Sequence, residues 1–326
     1  MPVSRLVPAV VAGAAVVIVL LPVATRALSV RGVLDVPNER SSHARTTVRG
    51  GGLVTGAAIA IALVIGASPV SVAIAACVAA AAIVGGVEDF RGVSVLLRLV
   101  TQLAIGVGFL LATSHAAPVP LLALPVVLAF VVSYTNAFNF MDGINGVSAV
   151  TAAICGATFL AFAHRLGADD LALVGGAIAA SAVAFLPFNF PSARVFLGDS
   201  GSYSFGMAIA CASVLAWRAG IRLDAVLAPL AVYLADTSAA IVRRATRRER
   251  VSTPHREHVY QRLVQLGASH TQSTLIVGGF TLCTAALGIA NHGQQAERFL
   301  IDVIVGAVVV LYLGLPRIAN RYRMFA

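Results

Sequence analysis

The sequence predicts an all-α polytopic membrane protein with about eleven transmembrane helices, the N-terminus outside and the C-terminus cytoplasmic. Three observations predict it. Of 326 residues, 59% are hydrophobic and only 11% are charged, against roughly 25% charged in a soluble domain. Apolar stretches of membrane-spanning length recur along the whole chain. Its basic residues are 23 arginines with no lysine, and they crowd into alternate loops, as orientation by positive charge requires.

The spans fall at about 6–25, 50–67, 70–87, 93–113, 119–135, 147–163, 171–188, 203–217, 224–242, 274–290 and 299–316. The first run is longer than the roughly 7–15 apolar residues of a signal peptide, so it reads as a retained span. Residues 50–87 would make one helix nearly twice the bilayer thickness, and Pro69 in "GASPVS" divides it into a hairpin. With that division, the loops near 26–49, 88–98, 194, 243–262 and 317–323 share one side and hold 18 arginines. The other side keeps five: Arg5, Arg165, Arg218, Arg222 and Arg298. The arginine-rich side is then the cytoplasmic one. Residues 1–326 read as a single integral-membrane domain, because the longest segment between spans, 243–273, is too short for a core of its own.

Composition excludes several classes. Cys77, Cys155, Cys211 and Cys283 lie in apolar runs with no C-x-x-C pair, which speaks against a disulfide framework or a thiolate metal site. The net charge of +9 sits in short loops between spans, so it suits the lipid bilayer and phosphates, with no nucleic-acid partner.

The polar residues sort to one side. Glu88, Asp89, Asn136, Asn139, Asp142, Asn145, Asn189, Asp199, His255 and His258 all fall at predicted cytoplasmic span ends. Each alone has an ordinary reading. Glu88 and Asp89 could be a solvated helix end, Asp199 an N-cap and Asp142 part of an Asp-Gly turn. Three acidic motifs on one face, each beside glycine or asparagine, instead suggest hard oxygen ligands for Mg²⁺, with Mn²⁺ as an alternative, joined to substrate phosphates. His255 and His258 are three apart, so on a helix they share a face near Arg256 and Arg262, which suits phosphate contact better than zinc. Asp236 reads as the buried partner of Arg243, seven residues on, and "RRATRRER" as a lipid-surface patch. Membrane, divalent metal and phosphate together point to phosphoryl chemistry at the bilayer surface.

The motifs "DVPNERSSHARTTVRGGG", "GVEDFRG", "NAFNFMDGINGVSA", "NFPSARVFLGDSGS", "PLAVYLADT" and "HREHVYQRL" resemble, in that order, the polyprenyl-phosphate N-acetylhexosamine-1-phosphate transferases of glycosyl transferase family 4. The resemblance covers roughly residues 35 to 265. It implies a plasma-membrane enzyme that moves a HexNAc-1-phosphate, GlcNAc-1-phosphate or a related sugar, from a UDP-N-acetylhexosamine to undecaprenyl or decaprenyl phosphate, and it leaves room for a homodimer. By position it implies Asp199 as Mg²⁺ ligand with Asp89, the latter also as base or orienter of the lipid phosphate. Asp142 and Asn139 fall at the heart of the site. Asn189 and Phe196 fall at nucleoside contacts, Arg49, His43 and Asn145 at further substrate contacts, and His255, Arg256 and His258 near the sugar and phosphates. Glu88 stands where the family has the first aspartate of a pair, Asn145 where a second Asp is usual, and Val48 where a proline precedes R-G-G. The spellings are closer to the O-antigen-initiating branch than to the phospho-MurNAc-pentapeptide translocase. Glu88 and Asn145 keep open a catalytically degenerate relative acting as a membrane scaffold.

Overall fold

The computed structural model of the chain describes residues 3–37, 46–115, 118–249, 256–293 and 297–325. Helices α1 (Val3–Val30), α2 (Gly52–Gly66), α3 (Pro69–Arg91), α4 (Val95–Thr113), α5 (Leu124–Phe140), α6 (Val147–Leu166) and α7 (Asp169–Asn189) come first. They are followed by α8 (Gly198–Arg218), α9 (Leu223–Leu227), α10 (Ala231–Thr246), α11 (Val259–Gln265), α12 (His270–Gly293) and α13 (Arg298–Tyr322). A two-residue hairpin of β1 (Leu34–Asp35) and β2 (Thr47–Val48) is antiparallel, pairing Leu34 with Val48.

Every predicted span falls on helix, and the all-α polytopic architecture is the one observed. Among the described residues, nine helical segments are long and apolar enough to cross a membrane. The other two predicted spans differ for separate reasons. Helix α2 is only 15 residues long. Helix α8 has 21 residues, but glycine and serine fill its first turns and dilute its hydropathy. The predicted span 224–242 is also not continuous. It breaks into α9, a 3₁₀ turn at Ala228–Leu230 and α10, because Pro229 has no N–H to carry the helical ladder. The expected hairpin is present: α2 ends at Ala67 in the left-handed conformation, and Ser68 caps α3, whose first residue is Pro69.

Helix α8 is the centre of the bundle. Residues 200–214 are buried along its whole circumference, so it is wrapped by other helices rather than by lipid. Its first turn lies against α2 and α3 at backbone contact. A Cβ on Gly52 would stand 2.0 Å from the Gly201 nitrogen, and one on Gly85 would stand 2.3 Å from the Asp199 carbonyl oxygen. Only glycine fits such a crossing, as in helix pairs elsewhere in membranes.

The second half of the chain is held by Asp236 of α10. Its carboxylate accepts the Val259 N–H at the start of α11 (2.9 and 3.1 Å) and the Tyr312 hydroxyl of α13 (2.8 Å), with His258 Nδ1 at 3.4 Å. The expected Asp236–Arg243 pair is therefore replaced. Arg243 turns to Glu257 instead, donating to its carbonyl at 2.8 Å. The shared helical face of the two histidines is not found either: α11 begins only at Val259, leaving His258 as its flanking cap residue, and His255 lies outside the described residues.

Gly85→Val puts a branched side chain against α8 backbone that cannot move aside, and overpacking of this kind costs roughly 1–3 kcal/mol or more. We expect its thermal midpoint in detergent to fall by several degrees. Gly108→Ala, with no neighbour within 4 Å of the new Cβ, should melt like the parent protein.

Candidate active site

The site is built on the first turn of α8. A helix begins with backbone N–H groups that have no intrahelical partner, and the residue flanking α8, Leu197, has no side chain to satisfy them. Asp89, on the last turn of α3, does so from across the crossing. Its Oδ1 accepts the Asp199 N–H at 2.9 Å and its Oδ2 accepts the Ser200 N–H at 3.0 Å. Gly198, at φ +73°, leaves just enough room: a Cβ there would lie 2.8 Å from the carboxylate. The Asp89 side chain has 0% exposed surface, and Arg49 Nε meets its Oδ1 at 2.8 Å.

Arg49 is held from both sides of the chain. Its N–H donates to the Val33 carbonyl (3.2 Å), and the preceding Val48 carbonyl accepts the Phe196 N–H (2.8 Å). Two residues on, Gly51 and Gly52 donate to the carbonyls of Phe196 and Leu197. This strap seats the guanidinium between two acids: Nε on Asp89, and Nη2 on Asp199 Oδ2 at 3.0 Å. Burial works against its charge, but the carboxylates of Asp199, Asp89, Asp35 and Asp142 outweigh that and raise its pKa. The other Asp199 oxygen accepts from Asn139 Nδ2 (2.7 Å), which also reaches the Ser202 hydroxyl (2.9 Å).

The loop between α5 and α6 closes the opposite wall. Asn189 brackets it, accepting the Gly146 N–H at 2.7 Å and donating to the Val195 carbonyl at 2.9 Å. Asn145 donates to the Pro191 carbonyl (3.1 Å), and its own carbonyl accepts from Thr274 (2.7 Å). Asp142 sits in this loop. Burial pushes its carboxyl up to about 7; the Ser148 hydroxyl and Arg49 oppose this, while Asp199 and Asp89 add to it.

One cavity of about 240 Å³ collects these groups. Arg49, Asn139, Asp142, Asn145, Asn189, Phe196 and Asp199 all line it, together with Asp35, Gln261 and His270. The last three were not singled out from sequence. Asp35 opens the "DVPNER" motif and Gln261 lies within "HREHVYQRL", signals that could have found them; His270 stands in an ordinary-looking stretch and enters at the start of α12.

Three expected site groups stand away from the cavity wall. Both Asp89 oxygens are taken up by α8 amides and Arg49, with no exposed side-chain surface. Glu88 faces Arg98 of α4 at 3.9 Å and does not line the cavity. His258 is a buried neighbour of Asp236, and neither it nor Arg256 lines the cavity. His43 and His255 lie outside the described residues.

Among the described residues no three His, Cys, Asp or Glu side chains converge as a metal cage. The donor set nevertheless fits Mg²⁺, which takes one or two carboxylates and completes its shell with water and substrate phosphate rather than protein. Asp199 supplies one carboxylate at the cavity wall, and Asp142 a second on the facing loop.

Fold and site define a polytopic membrane protein with three carboxylates, Asp35, Asp142 and Asp199, in one cavity at the helix ends. Residues 71–217 match the family model Glycosyl transferase family 4. The match takes in Asp89, Asn139, Asp142, Asn189 and Asp199, and leaves Arg49 and the α10–α13 half outside it. Over 92% of the chain and 89% of the relative, the protein is 26% identical to a Bacillus subtilis protein named "Probable undecaprenyl-phosphate N-acetylglucosaminyl 1-phosphate transferase". It is 29% identical to a Mycolicibacterium smegmatis decaprenyl-phosphate N-acetylglucosaminephosphotransferase, over 88% of the chain and 83% of the relative. A phospho-N-acetylmuramoyl-pentapeptide-transferase of Latilactobacillus sakei is 33% identical, but over only 41% of the chain and 43% of the relative.

The raised carboxyl of Asp142 has a consequence for stability. Its folded value of about 7 lies above the ordinary 3.8, so the folded state holds this proton more tightly than the unfolded one. That contribution is fully present below about pH 4 and is lost as pH rises to about 7. Relative to Asp142→Asn, the parent protein should lose thermal midpoint between pH 5 and 7 and run parallel above it; melts in detergent across that range check the difference.

Proposed function

We propose that the protein transfers an N-acetylhexosamine 1-phosphate, with N-acetylglucosamine as the sugar, from its UDP-linked form to a polyprenyl phosphate, releasing UMP. The observation that carries this is the cavity where Asp199, Asn139, Asp142 and Arg49 meet at the ends of membrane helices, the first three within the stretch that matches family 4. The names of the two long relatives support the donor sugar and the polyprenyl acceptor, undecaprenyl or decaprenyl.

In the reaction an oxygen of the lipid phosphate forms a bond to the β-phosphorus of the sugar nucleotide. The bond from that phosphorus to the α–β bridging oxygen breaks, and UMP carries the electron pair away. No strong base is needed, because a phosphate monoester is already ionised at neutral pH. The protein's task is to bring two anions together and hold them in line. Asp199, with Asp142 facing it, would hold Mg²⁺ or Mn²⁺, whose charge when bound offsets that of the phosphates. Asn139 fixes the Asp199 carboxylate through Oδ1, and Asp89, as a positioning residue, fixes the backbone that carries it. Arg49 offers a guanidinium to phosphate oxygens. The Phe196 ring at the cavity wall suits stacking on a base, while Asn145, Gln261 and His270 supply hydrogen-bonding groups for the sugar.

A nucleotide sugar is a cytoplasmic substrate, so the cavity end faces the cytoplasm. With α2 and α8 counted beside the nine long apolar segments, the reading has eleven spans and the N-terminus outside, in a multi-pass protein of the plasma membrane. Every group invoked comes from one chain, so the chemistry does not require a homodimer.

Purified protein in detergent with polyprenyl phosphate, Mg²⁺ and UDP-N-acetylglucosamine should release UMP and form a lipid-linked pyrophosphoryl sugar, and EDTA should stop it. Asp199→Ala should lower turnover by at least about a hundredfold, the scale for removing a group that stabilises developing charge. Undiminished turnover in EDTA would remove the metal. Folded protein that binds uridine nucleotides yet releases no UMP with any UDP-sugar would favour the scaffold instead.

A further inference from the structure

Among the described residues the cavity wall carries three carboxylates, Asp35, Asp142 and Asp199, and one guanidinium, Arg49. That guanidinium is already committed. Its Nε is on Asp89 and its Nη2 on Asp199 Oδ2, while Asp199 Oδ1 is taken by Asn139. A divalent cation approaching Asp199 therefore meets a positive charge seated on its ligand. With 35% of its side chain exposed, against 0% for Asp89 and 20% for Asp199, Arg49 is the outermost member of the triad.

We propose that Arg49 is a built-in counter-ion that holds Asp199 until the sugar nucleotide arrives, so that metal and pyrophosphate enter together and the guanidinium passes from the carboxylate to a phosphate oxygen. This rests on the metal-assisted transfer proposed above. The charge argument is direct. Without nucleotide, metal binding must break the Nη2–Asp199 contact and leave two cations side by side. With a pyrophosphate present, the released Nη2 gains a new acceptor and the repulsion is offset. The Nε contact with the buried Asp89 need not break, so the exchange is a pivot of the fork rather than a withdrawal of the side chain. The strap through Val33, Val48 and Phe196 holds the backbone still during it. Free metal is thereby kept off the acids, and the site takes it with its substrate.

The test is Mn²⁺ binding to the full chain in detergent, read from the electron paramagnetic resonance signal of free Mn²⁺, without and with UDP as a diphosphate probe. In the parent protein UDP should tighten Mn²⁺ by about tenfold or more, within the usual range of coupling between sites. Arg49→Gln should bind Mn²⁺ alone about fivefold tighter or better, as expected for removing a unit charge beside the ligand, and should lose most of the gain from UDP. Arg49→Lys, which keeps the charge, should bind Mn²⁺ alone as the parent does. Equal or weaker Mn²⁺ binding by folded Arg49→Gln, with Asp199→Asn abolishing it, overturns the counter-ion and leaves the metal site standing. Unchanged binding in Asp199→Asn overturns the metal site and this proposal with it. Should Arg49→Gln fail to fold, the parent protein decides alone: Mn²⁺ affinity indifferent to UDP overturns the exchange.

Discussion

The contact on which the rest depends is the Asp89 carboxylate under the N-terminus of α8. A carboxylate with no exposed surface is costly unless its charge and lone pairs are met. Here two backbone amides, the positive end of a 21-residue helix and one guanidinium meet them. Neighbouring features follow from that demand. Gly85, one turn before Asp89, and Gly52 let three helices touch at backbone distance. Gly198 admits the carboxylate. Asp199, whose amide Asp89 holds, is thereby turned outward into the cavity. A single acid thus converts a helix start, ordinarily an anion-binding feature, into a mount for another acid.

That mount sets up an electrostatic problem that the remaining side chains address. A cavity rich in carboxylates is a poor receptor for phosphates, and a fixed arginine would be a poor receptor for a metal. The Asp89–Arg49–Asp199 triad holds both tendencies in check, with net charge distributed over atoms about 3 Å apart. Asp142 adds a further adjustment, since a carboxyl that titrates near neutrality contributes charge only as its surroundings allow. The site therefore holds opposite charges against one another within one small cavity.

The spans and the one-sided gathering of polar residues were legible because both are local properties: apolar length, arginine-rich loops, and acids at helix ends. Asp199, Asn139 and Asp142 could be placed together on that basis. Partner choice was not legible. Asp89 and Asp199 are 110 residues apart, and nothing in "GVEDFRG" distinguishes a ligand from a cap. Asp236 has Arg243 near in sequence yet bonds to Val259 and Tyr312, because helix direction and packing, rather than proximity along the chain, decide which groups meet. Pro229 could have warned of the break between α9 and α10. His270 had no such marker.

The Asp236 bracket ties the loop that covers the cavity to Tyr312, fourteen residues from the end of the chain. Val259 opens α11, and α11 carries Gln261 to the cavity wall. One side of the cavity is therefore fastened, through a buried carboxylate, to a helix distant in the chain. A change at Tyr312 would reach the cavity without touching it.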